Sequence, residues 1–228
     1  ILGPNGMGKT TLLSSMAGVL QPQAGFVEID GRRRRASIED EQAIRRQVVF
    51  LPDHPWLPRQ RTTREFLLSV GRLYDIDENR LIEHVGRLLK LFELSELGDS
   101  PIRTYSAGQQ KKVAICSALI TEAPILLLDE PFSGGLDPSG IMALKRVMRR
   151  LVEDQGQTIV MSTPVPELVE DLADRLIVLQ DGVVAFDGTL AELRQQSTSS
   201  GSLGVVLEQL LFPQTLENIE QYFEGRLP

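Results

Sequence analysis

A glycine-rich segment near the start of the chain has the residue types and spacing of a phosphate-binding loop. It fits the pattern G-x-x-x-x-G-K-(S/T), and the residues assigned to it are Gly3, Pro4, Asn5, Gly6, Met7, Gly8, Lys9, Thr10 and Thr11. Glycines let backbone N–H groups turn toward phosphate oxygens, and the N-terminus of a following helix adds its positive dipole end. We expect the Lys9 amine to reach the β- and γ-phosphates and the Thr10 hydroxyl to bind Mg²⁺. Taken alone, the pattern also suits a glycine-rich turn before a helix.

A second segment, residues 125–131, is an apolar run that ends in two acids and a proline. An apolar strand that ends in a carboxylate would bring Asp129 beside the phosphate loop, at the Mg²⁺. Glu130 follows directly and could accept a proton from an attacking water. The alternative interpretation of this segment alone is a buried strand capped by solvated acids. Its occurrence together with the first motif favours nucleotide chemistry.

Composition indicates an ordinary globular chain and narrows the partners. Among 228 residues, 24 Lys and Arg face 31 Asp and Glu, and the net charge of −7 argues against a nucleic-acid partner. The run Arg32–Arg35 could bind an anion, but a solvated loop is the favoured interpretation. The single cysteine, Cys116, lies in an apolar helical pattern, which predicts a buried thiol. No apolar run approaches the roughly 18 residues that a membrane span needs.

Strand and helix patterns alternate along most of the chain, which predicts an α/β fold with a mostly parallel sheet covered on both faces. Helix is expected at 9–20, 138–154 and 166–173, and strand at 26–30, 48–51, 125–128 and 158–162, with a hairpin at 176–187 around Asp181-Gly182. A helical stretch at about 62–122 interrupts the alternation and is expected to be an inserted subdomain. Because the phosphate loop needs a strand to feed it and Ile1-Leu2 is only a stub, we expect that N-terminal strands are missing.

A third motif carries a family resemblance. Tyr105 to Gln110 resembles the Leu-Ser-Gly-Gly-Gln signature of the ATP-binding subunits of ABC transporters, with Ala107 in place of one glycine. Alone, this segment would be a small polar turn that caps a helix, but its order and spacing relative to the other motifs disfavour that interpretation. The resemblance extends to about Gly188 and implies a P-loop NTPase core with an inserted helical subdomain. It predicts an ATP-binding domain at 1–190, then a linker, including Ser197–Ser202, and a short helical extension at 191–228.

The resemblance also implies roles for individual residues, with ATP and Mg²⁺ as cofactors. Two subunits would face each other head to tail, and each ATP would lie between the phosphate loop of one and the signature of the other. The implied nucleotide-binding signature residues are Ser106, Ala107, Gly108 and Gln109, the implied catalytic residues are Glu130, Asp53 and Asp137, and the implied magnesium ligands are Thr10, Asp53 and Asp129.

Three positions depart from the family pattern. Asp53 stands where Gln or Glu is usual in the segment called the Q-loop, and Gly134-Gly135 makes the segment before Asp137, the D-loop, one glycine longer. Pro164 stands where the family has a histidine that contacts the γ-phosphate, and neither His54 nor His84 fits that position. Because proline has no side-chain donor and no N–H, we expect slow hydrolysis.

The implied partners are a second ATP-binding subunit and an integral membrane permease, so the chain would lie on the cytoplasmic face of a membrane. A weaker similarity links it to the subunits of ABC-2-type exporters. Trp56 and Leu57 are expected at the surface that docks the permease; the alternative is that Trp56 packs under the helical subdomain. Two other functions stay open: a nucleotide-gated regulatory module with little hydrolysis, and a soluble ABC ATPase acting on DNA or the ribosome, which the acidic composition disfavours.

Overall fold

The computed structural model describes residues 1–196, 205–207 and 211–223. They form two compact units, one made of residues 1–9 with the described part of 162–228, the other of residues 10–161. The helices are α1 (Lys9–Met16), α2 (Ile38–Gln47), α3 (Thr63–Leu73), α4 (Glu78–Leu91), α5 (Ala107–Leu119), α6 (Pro138–Gln155), α7 (Glu167–Leu172), α8 (Leu190–Gln196) and α9 (Pro213–Phe223). The strands are β1 (Glu28–Ile29), β2 (Arg32–Arg33), β3 (Val48–Leu51), β4 (Ile125–Asp129), β5 (Thr158–Ser162), β6 (Leu176–Gln180) and β7 (Val183–Gly188). The predicted linker at 197–202 lies outside the described residues.

The central strands form where the sequence has short apolar runs. In the order β3-β4-β5, β4 lies in the middle, and β3 and β4 are parallel, with Val48 opposite Ile125 and Leu51 opposite Leu128. Such runs suit strands that are covered on both faces. The α/β class with a parallel sheet is therefore confirmed, and β3 and β5 have the predicted bounds.

The stretch that was predicted to be helical contains α3, α4 and α5, with short 3₁₀ turns at Ser95–Leu97 and Ile102–Thr104. Local sequence starts each helix: the side chains of Thr62, Asp77 and Ser106 accept hydrogen bonds from backbone N–H groups of the first turn. Fully buried residues of these helices, among them Leu67, Leu81 and Ile115, belong to the apolar core of residues 10–161. The limits of a subdomain at 62–122 stay a prediction.

Helix α1 is shorter than predicted. It ends at Met16 rather than Leu20, because the carbonyl of Ser14 accepts hydrogen bonds from the N–H groups of both Val19 and Leu20 and Gly18 has a positive φ of 78°. A left-handed glycine closes a helix readily. The apolar residues Val19 and Leu20 continue the helical period in sequence but are exposed beyond the helix end.

The prediction of a solvated arginine run was wrong for Arg34. Its side chain is only 5% exposed and its Nη1 lies 3.1 Å from Glu41 Oε1, while Nε donates to the Met16 carbonyl at 2.7 Å. The run begins in the β1–β2 hairpin, where Arg32 and Arg33 are exposed. The buried position of Arg34 depends on a carboxylate in α2 and a carbonyl at the end of α1, which the charge pattern of the run does not reveal.

In the other unit, Leu2 is fully buried between two extended segments. It forms parallel bridges to Thr163 and Val178, so Ile1-Leu2 has the strand character that was predicted. β6 and β7 pair as the predicted hairpin, and both turn residues, Asp181 and Gly182, have positive φ (50° and 76°), as a two-residue turn of this type requires. The apolar cluster of this unit contains Leu2, Val178, Leu193 and Leu207. These residues come from both sides of the predicted domain boundary at 190/191.

Cys116 lies fully buried in α5, as predicted, and burial raises the pKa of its thiol. Among the described residues, no helix combines the length and the apolar character needed to cross a membrane.

Candidate functional site

The phosphate loop wraps closely around the Lys9 side chain. Lys9 Nζ donates to the carbonyl oxygens of Gly3 at 2.9 Å and Pro4 at 3.2 Å, and lies 3.4 Å from Asn5 Oδ1. Gly3 must be a glycine, since a Cβ there would lie 2.6 Å from the carbonyl oxygen of Leu179. The side chain of Met7 contacts the turn of the β6–β7 hairpin, where its Sδ accepts a hydrogen bond from the Asp181 N–H at 3.1 Å.

Glycine is needed twice more in this loop. Gly6 and Gly8 have φ values of 86° and 95°, a region that other residues rarely adopt. Left-handed residues beside right-handed ones turn successive N–H groups toward one side of a loop and make an anion-binding concavity. The loop leads directly into α1, whose N-terminus starts at Lys9.

Thr10 and Asp129 form the direct contact between the first two motifs. The Thr10 hydroxyl donates to Asp129 Oδ2 at 2.7 Å, although the residues are 119 positions apart. Asp129 is 1% exposed at the end of β4, whereas Thr10 and its neighbour Thr11 are exposed. Both of the atoms in this contact are oxygens, the ligand type that Mg²⁺ prefers.

This pair fits a magnesium ion. Mg²⁺ in nucleotide sites takes few protein oxygens and completes its octahedron with phosphate oxygens and waters. The described residues contain no cluster of three or more His, Cys, Asp or Glu side chains placed to hold a metal.

Glu130 has an unusual backbone conformation. Its φ is 45°, in the left-handed region, which costs a non-glycine residue about 1–3 kcal/mol. Its carbonyl oxygen accepts hydrogen bonds from the Ser133 N–H at 3.0 Å and from Lys111 Nζ at 3.1 Å. The turn after β4 therefore holds Glu130 in place through its backbone.

Both carboxylate oxygens of Asp53 have partners. Its Oδ1 accepts from the Ser133 hydroxyl and lies 3.4 Å from Lys111 Nζ, and its Oδ2 lies 3.0 Å from His54 Nδ1. Of the predicted magnesium set, the structure brings Thr10 and Asp129 into direct contact, and the carboxylate oxygens of Asp53 contact Ser133, Lys111 and His54. The metal role of Asp53 stays a prediction.

Sequence reasoning missed Lys111. Its side chain is 5% exposed, burial lowers the pKa of its amine, and the Asp53 carboxylate opposes that shift. The signal in the sequence was a pair of lysines, Lys111 and Lys112, immediately before the apolar run that opens with Val113. Charged residues inside a buried helix normally need partners.

The signature segment begins α5 with a reciprocal cap. Ser106 Oγ accepts from the Gln109 N–H at 3.2 Å, and Gln109 Oε1 accepts from the Ser106 N–H at 2.9 Å. Ser106 and Ala107 are exposed at the helix N-terminus, where backbone N–H groups and the dipole favour an anion. Gly108 is required by close packing, since a Cβ there would lie closer than 3.0 Å to the carbonyl oxygen of Gly135.

Asp137 caps α6. Its Oδ1 accepts from the Gly140 N–H at 2.8 Å and its Oδ2 lies 2.9 Å from Lys112 Nζ. The hydrogen bond from Lys112 and that from the Gly140 N–H lower the pKa of Asp137. The lengthened D-loop is thereby tied to α5 at two places, through Gly135 and through Asp137.

Pro164 follows the end of β5, after the buried residues Ser162 and Thr163. Thr163 Oγ1 accepts from the Val165 N–H at 3.0 Å, which shapes the turn around the proline. The two histidines lie elsewhere in the chain: His54 is exposed beside Asp53, and His84 lies in α4 with Nδ1 3.2 Å from Glu122 Oε1.

Trp56 and Leu57 were predicted to share a docking surface, and the structure separates them. Trp56 is 82% exposed, so the alternative that it packs under the helical subdomain is wrong. Leu57 is 8% exposed and packs into the apolar core, so its placement at the surface was also wrong.

Comparison with known proteins agrees with these motifs. The family model for the ABC transporter ATP-binding region matches residues 1–133. The chain is 34% identical over 92% of its length to the daunorubicin resistance ATP-binding protein DrrA3 of Streptomyces coeruleorubidus, and it spans 64% of that protein. It is 32% identical to the ABC-type transporter ATP-binding protein EcsA of Bacillus subtilis, covering 86% of this chain and 77% of the relative.

Solved structures show the same fold. An ATP-binding subunit of an ABC transporter superposes with a TM-score of 0.81 at 31% identity, covering 92% of this chain and 86% of the other. The cassette MJ0796, a dimer bound to ADP and Pi, superposes with a TM-score of 0.74 at 27% identity, covering 82% and 83%. The matched motifs, the sequence relatives and the shared P-loop NTPase fold agree, and the chain belongs to the ABC transporter family, of which it carries the ATP-binding domain.

Proposed function

We propose that this chain binds MgATP, hydrolyses it, and uses the cycle to drive a separate membrane subunit. The observation that carries the proposal is the 2.7 Å hydrogen bond from the Thr10 hydroxyl to Asp129 Oδ2. This hydrogen bond joins the phosphate-loop motif to the carboxylate at the end of β4. In P-loop NTPases, a loop hydroxyl and a strand-end carboxylate are the protein groups that hold Mg²⁺.

In this proposal each residue has a distinct task. Lys9 exchanges its loop acceptors for β- and γ-phosphate oxygens, whose charge the loop amides alone offset only in part. Glu130 accepts the proton of the attacking water, and its backbone is already fixed by contacts to Ser133 and Lys111. Thr10 and Asp129 would hold Mg²⁺, which would neutralise charge on the phosphates.

The working form is a head-to-tail pair of ATP-binding subunits. The exposed N-terminus of α5, with Ser106, Ala107, Gly108 and Gln109, would contact the γ-phosphate held by the opposite subunit. ATP would then close the pair and hydrolysis would release it, because a nucleotide shifts a two-state equilibrium by its differential affinity for the closed state. The dimer of MJ0796 with ADP and Pi is a precedent in a relative.

The membrane partner would be a permease, which this chain would meet at the cytoplasmic face of the membrane. The relative DrrA3 is named as a resistance ATP-binding protein. The exposed Trp56, in the segment after Asp53, is the proposed anchor for that partner, since aromatic side chains often carry much of the binding energy of an interface.

The proposal is tested by the magnesium dependence of ATP turnover in the full-length protein. Asp129→Asn removes a charged ligand but keeps the shape, so turnover should fall about 10²–10³-fold and the Mg²⁺ concentration for half-maximal rate should rise. Asp154→Asn, an exposed change near the end of α6, is the matched control and should keep the wild-type rate. Equal turnover in Asp129→Asn and wild type would contradict the proposed site.

Pro164 supports a second candidate, a regulatory module that closes on ATP with little hydrolysis. Proline removes a γ-phosphate contact that helps to orient water in the family. The two candidates differ in one measurement: the regulatory module binds ATP and dimerises with negligible phosphate release, whereas the transport ATPase releases phosphate in every cycle.

A further inference from the structure

The amine of Lys111 lies at the centre of a buried polar cluster in residues 10–161. Nζ is 3.1 Å from the carbonyl oxygen of Asp53, 3.1 Å from the carbonyl oxygen of Glu130, 3.3 Å from Ser133 Oγ and 3.4 Å from Asp53 Oδ1. The side chain emerges from the first turns of α5 and is 5% exposed. Three separate segments therefore meet at one ammonium group.

The chemistry of an ammonium group suits this position. It has three N–H donors and no acceptor, so it can serve several carbonyl and carboxylate oxygens at once. Burial disfavours its charge and lowers its pKa, and the contact with Asp53 opposes that effect. A neutral, shorter or apolar side chain would leave the two carbonyl groups and the carboxylate without this donor, which is costly in a buried place.

Lys111 contacts backbone carbonyl groups as well as side chains, so it can constrain the course of the backbone. A hydrogen bond to a carbonyl group restrains the backbone at that residue. Lys111 therefore restrains the backbone at Glu130, whose φ is 45°. It also constrains the peptide after Asp53, at the start of the segment that carries Trp56. Ser133 joins the two, because its hydroxyl lies within reach of both Lys111 and Asp53.

We propose that Lys111 is a positioning residue that ties the backbone at Glu130 to the Asp53 loop, so that the general base and the loop facing the membrane partner keep one fixed relative placement. This inference rests on the proposed function for its effect on turnover, while its structural part concerns the chain alone. Lys111 does not touch the reacting atoms; it acts through the two peptides that it holds.

The structural part is tested by hydrogen–deuterium exchange of the full-length protein. Lys111→Met keeps most of the apolar stem of the side chain, is one atom shorter, and removes the donor. We expect faster amide exchange in residues 53–58 and 130–135, with wild-type exchange in α6. Lys90→Met, on the exposed surface of α4, is the matched control and should exchange like wild type in all three segments. Unchanged exchange at 53–58 and 130–135 in Lys111→Met would overturn the inference.

The functional part is tested by kcat and KM, with rates expressed per ATP-binding site so that loss of folded protein does not enter. A displaced catalytic group commonly costs about 10²-fold in rate, so kcat of Lys111→Met should fall by that order while KM for ATP stays within about twofold, since a purely catalytic displacement leaves ground-state binding intact. Lys111→Gln keeps an amide donor and should lie between wild type and Lys111→Met; it also serves if Lys111→Met folds poorly.

The outcomes separate the two proposals. If exchange rises but kcat per site stays at the wild-type value, Lys111 is a structural residue and the positioning role is wrong. If wild type itself binds ATP without releasing phosphate, the proposed hydrolysis fails, while the exchange comparison still decides whether Lys111 holds the two segments together.

Discussion

Pro164 stands where the family resemblance implies a histidine. It follows a buried strand end and offers neither a side-chain donor nor a backbone N–H to a phosphate. In the proposed function, nucleotide binding depends on other groups, among them Lys9, the loop amides and the Thr10–Asp129 pair, so the proline is expected to affect rate more than affinity.

The prediction at position 164 is therefore a gain of function. Pro164→His should raise ATP turnover of a homodimer by about 10²-fold, as expected when one positioned polar group is restored, with little change in ATP affinity. Phosphate release at saturating MgATP measures the rate, and equilibrium binding of a fluorescent ATP analogue measures the affinity. Pro166→His, two residues on, is the control. Ordinary transporter rates in wild type, unchanged by the histidine, would show that another group orients the water.

At the scale of elements, the contact between α5 and the D-loop depends on two glycines that lack side chains. Gly108 has no room for a Cβ because the Gly135 carbonyl occupies that space. The Asp137–Lys112 pair makes a second link between the same two elements. The signature segment and the D-loop of one chain are therefore tied to each other at two places.

Two glycine substitutions should have opposite effects on stability. Gly108→Ala forces a carbonyl to shift and should lower the free energy of unfolding by about 1–3 kcal/mol. Gly86→Ala, in α4, meets no heavy atom within 4 Å and should raise it by about 0.5–1 kcal/mol, since alanine favours helix. Urea unfolding of both variants measures the difference. A Gly108→Ala protein as stable as wild type would contradict the close packing.

Elements whose signals are local were predictable, and side chains with distant partners were not. The β3 run Val48–Leu51 and the Asp181-Gly182 turn carry their own apolar pattern and turn chemistry. The contacts of Lys111 involve residues about 20 and 60 positions away along the chain, at Glu130 and Asp53. A sequence pattern indicates which residues share a helix face, but it does not indicate which distant oxygen a lysine on that face contacts.

At the scale of the whole molecule, the proposed function requires that ATP hold two subunits together. In the proposed pair, each ATP is bound by the phosphate loop of one subunit and by the α5 N-terminus of the opposite subunit. The pair therefore stays closed as long as the γ-phosphate remains. Blocking hydrolysis without disturbing binding should then accumulate the closed pair.

Glu130→Gln is expected to produce that state. The amide keeps the shape of the side chain and loses the basic oxygen, so ATP still binds while the chemical step slows. Size-exclusion chromatography in MgATP, with the natural partner subunit present if the pair is a heterodimer, should show an ATP-dependent dimer. Glu83→Gln, exposed on α4, should stay like wild type. A Glu130→Gln protein that remains monomeric at saturating ATP would contradict the head-to-tail arrangement.

Trp56 and Leu57 provide a contrast between partner binding and folding. Trp56→Ala alters an exposed side chain and should change the free energy of unfolding by less than about 0.5 kcal/mol while weakening copurification of the membrane subunit. Leu57→Ala creates a cavity and should cost about 2–5 kcal/mol. Urea unfolding and detergent copurification measure the two effects. Undiminished copurification with Trp56→Ala would remove this residue from the docking surface.

The burial of Cys116 has a practical consequence for watching this cycle in solution. It is the only cysteine in the chain, it is fully buried, and its raised thiol pKa keeps it in the unreactive protonated form. A cysteine introduced at an exposed position outside the proposed sites, such as Glu83 in α4, would therefore be the single site that a maleimide dye labels. Distance changes between two labelled subunits, or between a subunit and its permease, become measurable by energy transfer without first removing the native thiol.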